Sequence, residues 1–377
     1  MKSGRRTLLA LVAAVAVAGA AASCSLDATG DRNTTVTAGP VIYPLSLEYH
    51  GIDVVPDVPY GQDPLQQLDV CLPADSPPES TATPTVTPPA AGTDDGGAAG
   101  SDSGGSQGSG SQDGGSQDGG SDDAAGGSAD DAGADGGSDR VDVGTRPAVL
   151  MIHGGSWSHG DKATAAYRSV CQYLASEGFV TFNVDYRLAP TDPFPAGYDD
   201  VRRALDFVYR PTTLQTYDVD PGRIGVFGGS AGGNLAALLA VEDHESAAYA
   251  AGHRIRAVVD LSGPTDLTAR STRADGVSAS FQRKQLLYLG CSSYASCPAA
   301  ERASPEYQVT KATAPFFIGH STDEFIPLWE SQRFASTLRS HGVPVTFVAV
   351  QGSAHSIAQL DEAMSRRVTT FLRAGLR

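Results

Sequence analysis

Two glycine-rich turns carry the residues whose types and spacing can do chemistry. In Gly228-Gly-Ser-Ala-Gly-Gly233 a serine sits in the pattern Gly-x-Ser-x-Gly, formed by Gly228, Ser230 and Gly232. A serine hydroxyl attacks poorly unless it is held in the open beside a base and a set of oxyanion donors. The apolar run Ile224 to Phe227 precedes it and a helix-compatible run, Asn234 to Val241, follows. A sharp strand-to-helix turn of this kind holds a nucleophile out of the sheet. The second turn, His153-Gly-Gly-Ser-Trp157, comes directly after the apolar run Ala148 to Ile152. There it can aim backbone N–H groups into the crevice at the carboxyl end of a parallel sheet. Either stretch alone also reads as a plain tight turn.

These turns need a scaffold, and from Arg146 onward the sequence supplies one. Apolar runs at 148–152, 180–185, 224–227, 255–261, 316–319 and 346–350 read as strands. They alternate with helical stretches near 163–177, 198–209, 234–241, 328–341 and 357–372. That rhythm predicts an α/β fold, a mostly parallel sheet with helices on both faces. Residues 266–310 break the rhythm and are expected to form a small cap region. Residues 41–73 have modest strand character and look like the first strands of the same domain.

Between them lies a Pro/Thr-rich and then Gly/Ser/Asp-rich tract at 74–145, too poor in apolar residues to build a core and expected to be disordered. Lengthening a loop by three doublings costs only about 2 kcal/mol of closure entropy. The tract is therefore expected to interrupt one domain spanning 41–377. It also accounts for most of the charge. Residues 74–140 hold thirteen acidic side chains against one arginine, −12 of the formal −16. With the remainder nearly balanced and no basic patch, nucleic-acid binding has no support.

At the amino end, Lys2, Arg5 and Arg6 precede the apolar run Leu8 to Ala20 and the small residues Ala21-Ala22-Ser23. Residues 1–23 read as an export signal. The placing of Cys24 after small residues resembles a bacterial lipobox, with Ala21 where leucine is usual. Residues 24–40 would then be a lipid-anchored tether at the extracytoplasmic face, simple secretion being the alternative. Export permits disulfides. Cys291 and Cys297, with five residues between them, are the expected bridge, while Cys71 and Cys171 either pair or pack as buried apolar groups. No Cys/His spacing suggests a metal site.

Further motifs join the two turns: Asp185-Tyr-Arg-Leu-Ala-Pro190 and Phe194-Pro-Ala-Gly-Tyr-Asp-Asp-Val201. Together the set resembles the hormone-sensitive-lipase and carboxylesterase branch of the α/β-hydrolases, near feruloyl-esterase-like and kynurenine-formamidase-like members. The resemblance covers about residues 65–372 apart from the acidic tract. It implies the α/β-hydrolase fold, Ser230 as nucleophile and an oxyanion hole from the backbone N–H groups of Gly155, Ser156 and Ala231. His153 would orient its loop.

In this fold's order of nucleophile, acid and histidine the base comes last. His355, after the final expected strand in Gln-Gly-Ser-Ala-His-Ser, is therefore the expected base. Asp323 stands four residues before Pro327, as the family's pattern places the acid. The interval from His320 is one residue shorter than usual, which keeps adjacent Glu324 in competition.

Such a site needs no metal or organic cofactor. The expectation is a serine esterase of the cell envelope acting on a small-molecule ester. An amide or peptide hydrolase with the same triad, and an inactive hydrolase fold used for binding, are the alternatives.

Overall fold

A computed structural model describes residues 32–37, 49, 51–74, 145–274 and 277–377. The expected signal at 1–23, Cys24 and all but the two ends of the acidic tract lie outside them.

The nine strands are β1 (Arg32–Thr37), β2 (Asp53–Pro59), β3 (Gln67–Leu72), β4 (Arg146–Ile152), β5 (Val180–Val184), β6 (Val219–Gly229), β7 (Ile255–Leu261), β8 (Phe316–Ser321) and β9 (Val345–Gln351). They form one sheet in the order β1-β9-β8-β7-β6-β4-β5-β3-β2. Within it β3 alone runs against its neighbours, pairing antiparallel with both β5 and β2. The central strands are buried on both faces, which is why they read as unbroken apolar runs rather than alternating ones.

The two-residue period of a strand then divides the core. On one face Leu150, Ile152 and Val226 pack with the helices Ala196–Val208, Ala231–Val241 and Leu328–Ser340. On the other, Val149, Met151 and Phe227 pack with Ala165–Ser176 and Glu362–Gly375. Every residue of Ala231–Val241 is buried, as expected of a helix apolar all round.

Two expectations need correction. Within the stretch read as a tether, Arg32–Thr37 is a strand, paired in parallel with β9 from Arg32↔Thr346 to Thr37↔Gln351. Its sequence, Arg-Asn-Thr-Thr-Val-Thr, has no apolar alternation; threonine's β-branching suits it to an edge position. The single helix expected near 357–372 is a short 3₁₀ turn, Ser356–Gln359, followed by Glu362–Gly375. The break falls at Asp361, whose carboxylate caps the second helix by accepting the Met364 N–H at 2.7 Å.

Both cysteine pairs are disulfides. Cys291–Cys297 closes a short loop in the cap, and Cys71–Cys171 ties β3 to the helix Ala165–Ser176 across a sequence separation of 100. A loop of that length gives a cross-link worth about 4–5 kcal/mol in the chain-entropy account. Replacing Cys71 and Cys171 together by alanine should lower the thermal midpoint well below that of the parent, measured by circular dichroism. An unchanged midpoint would show that the bridge does not constrain the unfolded chain.

Candidate active site

The strand β6 ends at Gly229, and Ser230 makes the turn into Ala231–Val241 with φ 57° and ψ −125°. An L-residue held there is strained, and the surroundings must impose it. The Ser230 N–H donates to Leu261 O at 2.9 Å, and its carbonyl accepts the Asn234 N–H at 3.0 Å. The turn closes because Gly228 and Gly232 meet without side chains: a Cβ on Gly228 would lie 2.0 Å from the Gly232 carbonyl oxygen.

Asn234, which the sequence reading passed over, is fully buried one turn into the helix. Its Oδ1 accepts the Trp157 indole N–H at 3.2 Å, and its Nδ2 donates to Pro264 O and Ala303 O at 2.9 and 3.0 Å. One amide thus ties the serine helix to the glycine loop, to the end of β7 and to the cap. A polar residue at the second turn of an otherwise apolar helix was the available signal.

The glycine loop lies on the neighbouring strand β4. Gly155 has φ 124°, and a Cβ there would sit 1.8 Å from His159 O. Ser156 and Trp157 follow with φ 51° and 56°. The Gly154 N–H is spent on the Tyr167 hydroxyl at 2.6 Å, so Gly155 and Ser156 are the loop's remaining candidates for oxyanion donors. Ala231 opens its helix, where the first N–H groups have no intrahelical acceptor. His153 is buried, stacked on Tyr186 at 4.3 Å, with Nδ1 2.7 Å from Gly154 O. Burial pushes its pKa down to about 4, so the ring stays neutral and braces the loop.

His355 follows β9, and its Nδ1 contacts Glu324 Oε2. This corrects the expected acid. Asp323 is exposed; its N–H extends the ladder to Gly352 O at 2.9 Å and its carboxylate accepts from Thr322 Oγ1 at 3.0 Å. The Glu324 side chain is only 1% exposed. Its second oxygen, Oε1, accepts from Ser262 Oγ at 2.5 Å and Ser321 N–H at 3.2 Å, and lies 3.2 Å from His320 Nε2.

His320 Nε2 also faces Ile326 O at 2.8 Å, so it carries the hydrogen, and Nδ1 accepts from the Ser331 hydroxyl at 2.7 Å. Burial holds His320 below its ordinary pKa. Below the serine turn, burial raises the Asp260 carboxyl to about 7; the Gly263 N–H opposes that shift and the Glu324 charge adds to it. Counting forward from His320 on β8, rather than back from Pro327, reaches the carboxylate that turns inward.

Ser230, His355, Gly155 and Ser156 line one cavity of about 650 Å³, with Phe325 and Lys284 at its border. The Phe325 ring lies 4.4 Å from the His355 ring. Trp157 and Tyr288 are buried and stacked on each other at 4.3 Å. Between the motifs at 185–190 and 194–201, Arg187 grips Asp200 with two bonds of 2.8 Å, a structural ion pair.

Two substitutions follow from this geometry. If Glu324 orients a catalytic His355, Glu324→Gln should lower kcat by up to about 10⁴, the loss seen when an orienting carboxylate becomes an amide, while Asp323→Asn stays near the parent. Equal losses in both would place the acid elsewhere. Gly155→Ala, which drives a methyl into His159 O, should lower kcat by about 10²–10³ if that loop supplies an oxyanion donor. Steady-state kinetics on folded protein check both.

Known proteins resemble this chain in sequence and in fold. Residues 139–338, just over half of the chain, match the BD-FAE family. Neutral cholesterol ester hydrolase 1 of Mus musculus is 41% identical over 104 residues, covering 27% of this chain and 26% of that protein. Esterase LipC of Mycobacterium tuberculosis is 30% identical over 234 residues, covering 59% and 57%. The chain thus spans about a quarter of the first relative and little more than half of the second. A solved structure described as a truncated form of carbohydrate esterase from gut microbiota superposes with a TM-score of 0.61 at 18% identity, over 87% of this chain and 98% of that one. At that identity the likeness speaks for the fold, the α/β-hydrolase fold the motifs imply. With just over half its length matched by one family, the chain belongs to the BD-FAE family.

Proposed function

We propose that the protein is a serine carboxylic-ester hydrolase using Ser230, His355 and Glu324. The observation that carries this reading is the buried Glu324 carboxylate against His355 Nδ1, on a histidine that shares its cavity with Ser230. With Nδ1–H held by Glu324, His355 is left in the tautomer whose Nε2 accepts a proton. His355 takes the Ser230 proton as Oγ attacks the ester carbonyl. The N–H groups of Gly155, Ser156 and Ala231 hold the oxyanion that forms. Collapse expels the alcohol, protonated by His355, and leaves an acyl-serine. Water, deprotonated by the same imidazole, then releases the carboxylic acid and restores Ser230.

Names among the relatives support ester chemistry: a cholesterol ester hydrolase and an esterase. The two disulfides fit an oxidising compartment. With the export-signal pattern at 1–23 and Cys24, they support the proposal that the enzyme works at the cell envelope through a lipid anchor. Metabolic labelling with a tagged fatty acid, with and without Cys24→Ala, tests that location.

Ser230→Ala should reduce kcat on p-nitrophenyl butyrate by about 10⁴–10⁶ with an unchanged circular dichroism spectrum. Parent-like turnover by that variant would overturn the assignment. A matched anilide, tested in parallel, separates ester from amide hydrolysis.

A further inference from the structure

The cavity at Ser230 is not the end of the site. A second hollow of about 260 Å³ adjoins it, bordered by Ser156, Ser278, Ser280, Phe281, Lys284 and Phe325. Ser156, Phe325 and Lys284 border both spaces, so the two communicate across the glycine loop.

The wall between them is aromatic and its end is cationic. Phe325 is 49% exposed and meets Phe281 edge-on with ring centroids 5.2 Å apart. An exposed large apolar side chain beside a catalytic histidine is a surface waiting for a ligand. Lys284 stands one turn beyond Phe281 on the cap helix Ala279–Leu289, so the two share a helix face. Its helix neighbours Gln285 and Tyr288 turn inward and are buried, while Lys284 is exposed at the cavity border.

Among the described residues Lys284 has no carboxylate partner. The other fixed charge bordering the larger cavity, Asp161, is already engaged by the Thr164 hydroxyl at 3.0 Å. The hydroxyls of Ser278 and Ser280 lie 3.0 Å apart and the first caps the helix by accepting the Phe281 N–H. Among the described residues the smaller hollow therefore presents an ammonium without a carboxylate partner at the end of a short apolar path from His355.

We propose that Lys284 forms an anion subsite that selects esters carrying a carboxylate, with an apolar spacer lying along Phe325 and Phe281. This rests on the ester-hydrolase reading and names the substrate class of that same site. An ammonium in a partly enclosed groove attracts a carboxylate and repels a cationic group.

Three esters test it: neutral p-nitrophenyl butyrate, mono-p-nitrophenyl succinate with its carboxylate on the acyl side, and 4-acetoxybenzoate with its carboxylate on the leaving side. The readout is kcat/KM for each charged ester divided by that for the neutral one. For at least one charged ester, Lys284→Gln should lower this ratio by about two- to fivefold, the size of one partly screened ion pair. Lys284→Glu should lower it further, Lys284→Arg should keep it, and added salt should erode it in the parent.

Ratios unmoved by Gln and Glu for both charged esters would overturn the subsite. So would an equal loss on all three esters, which marks Lys284 as a packing residue of the cap. A parent that turns over none of the three removes the ester-hydrolase reading itself, and the subsite with it.

Discussion

Everything at the site depends on forcing Ser230 into a backbone conformation it does not prefer. Holding a non-glycine residue at φ 57° costs of order 1–3 kcal/mol. That cost is met by contacts set on three sides. The Leu261 carbonyl takes the Ser230 N–H, the Gly228 and Gly232 backbones close beneath, and Asn234 fixes the first turn of the helix. The helix that follows is wholly buried, so the strained residue is anchored to the core. Because Asn234 also accepts the Trp157 indole N–H, the serine turn is tied directly to the loop proposed to bind the oxyanion. Electrostatic stabilisation of a transition state requires that rigidity, since donors that must reorganise give back what they gain.

The second constraint is a buried carboxylate. Glu324 is nearly inaccessible, and an ionised carboxylate in such a place is tolerated only when its oxygens are satisfied. One oxygen is: Ser262 and the Ser321 N–H donate to it, with His320 Nε2 alongside. The other is left for His355. His320 is itself neutral and held at both nitrogens, so it contributes a directed N–H rather than a competing positive charge. Asp323 cannot substitute, because its backbone is committed to the ladder at Gly352 and its side chain faces solvent.

The glycine turns, the six strands from β4 onward and the histidine after β9 were legible because each leaves a local mark: an apolar run, a turn residue, a place in chain order. What was not legible depends on which way a chain turns in space. Asp323 and Glu324 are adjacent and chemically alike, and the two local marks disagree: the spacing to Pro327 points to the first, the spacing from His320 to the second. Cys71 and Cys171 are far apart in sequence, and meet only because β3 pairs with β5, in front of which the Ala165–Ser176 helix returns. The edge strand β1 is polar, so it is specified by the free edge of β9 rather than by its own pattern.

The topology also fixes where the chain leaves and re-enters the sheet on either side of the tract at 74–145. The loops proposed to carry the chemistry all leave the carboxyl ends of parallel strands: 153–157 after β4, Ser230 after β6, Glu324 after β8 and His355 after β9. Because β3 runs the other way, it finishes beside the start of β5, with Cys71 opposite Thr181. The chain re-enters at Arg146, opposite Val219 at the start of β6. The two ends of the tract therefore emerge at the edge of the sheet away from Ser230. Added length there costs only the slowly growing entropy of loop closure. The same number of residues inserted after β4 or β8 would separate groups that must stay within hydrogen-bonding distance. The reversed strand is what makes the insertion compatible with the site.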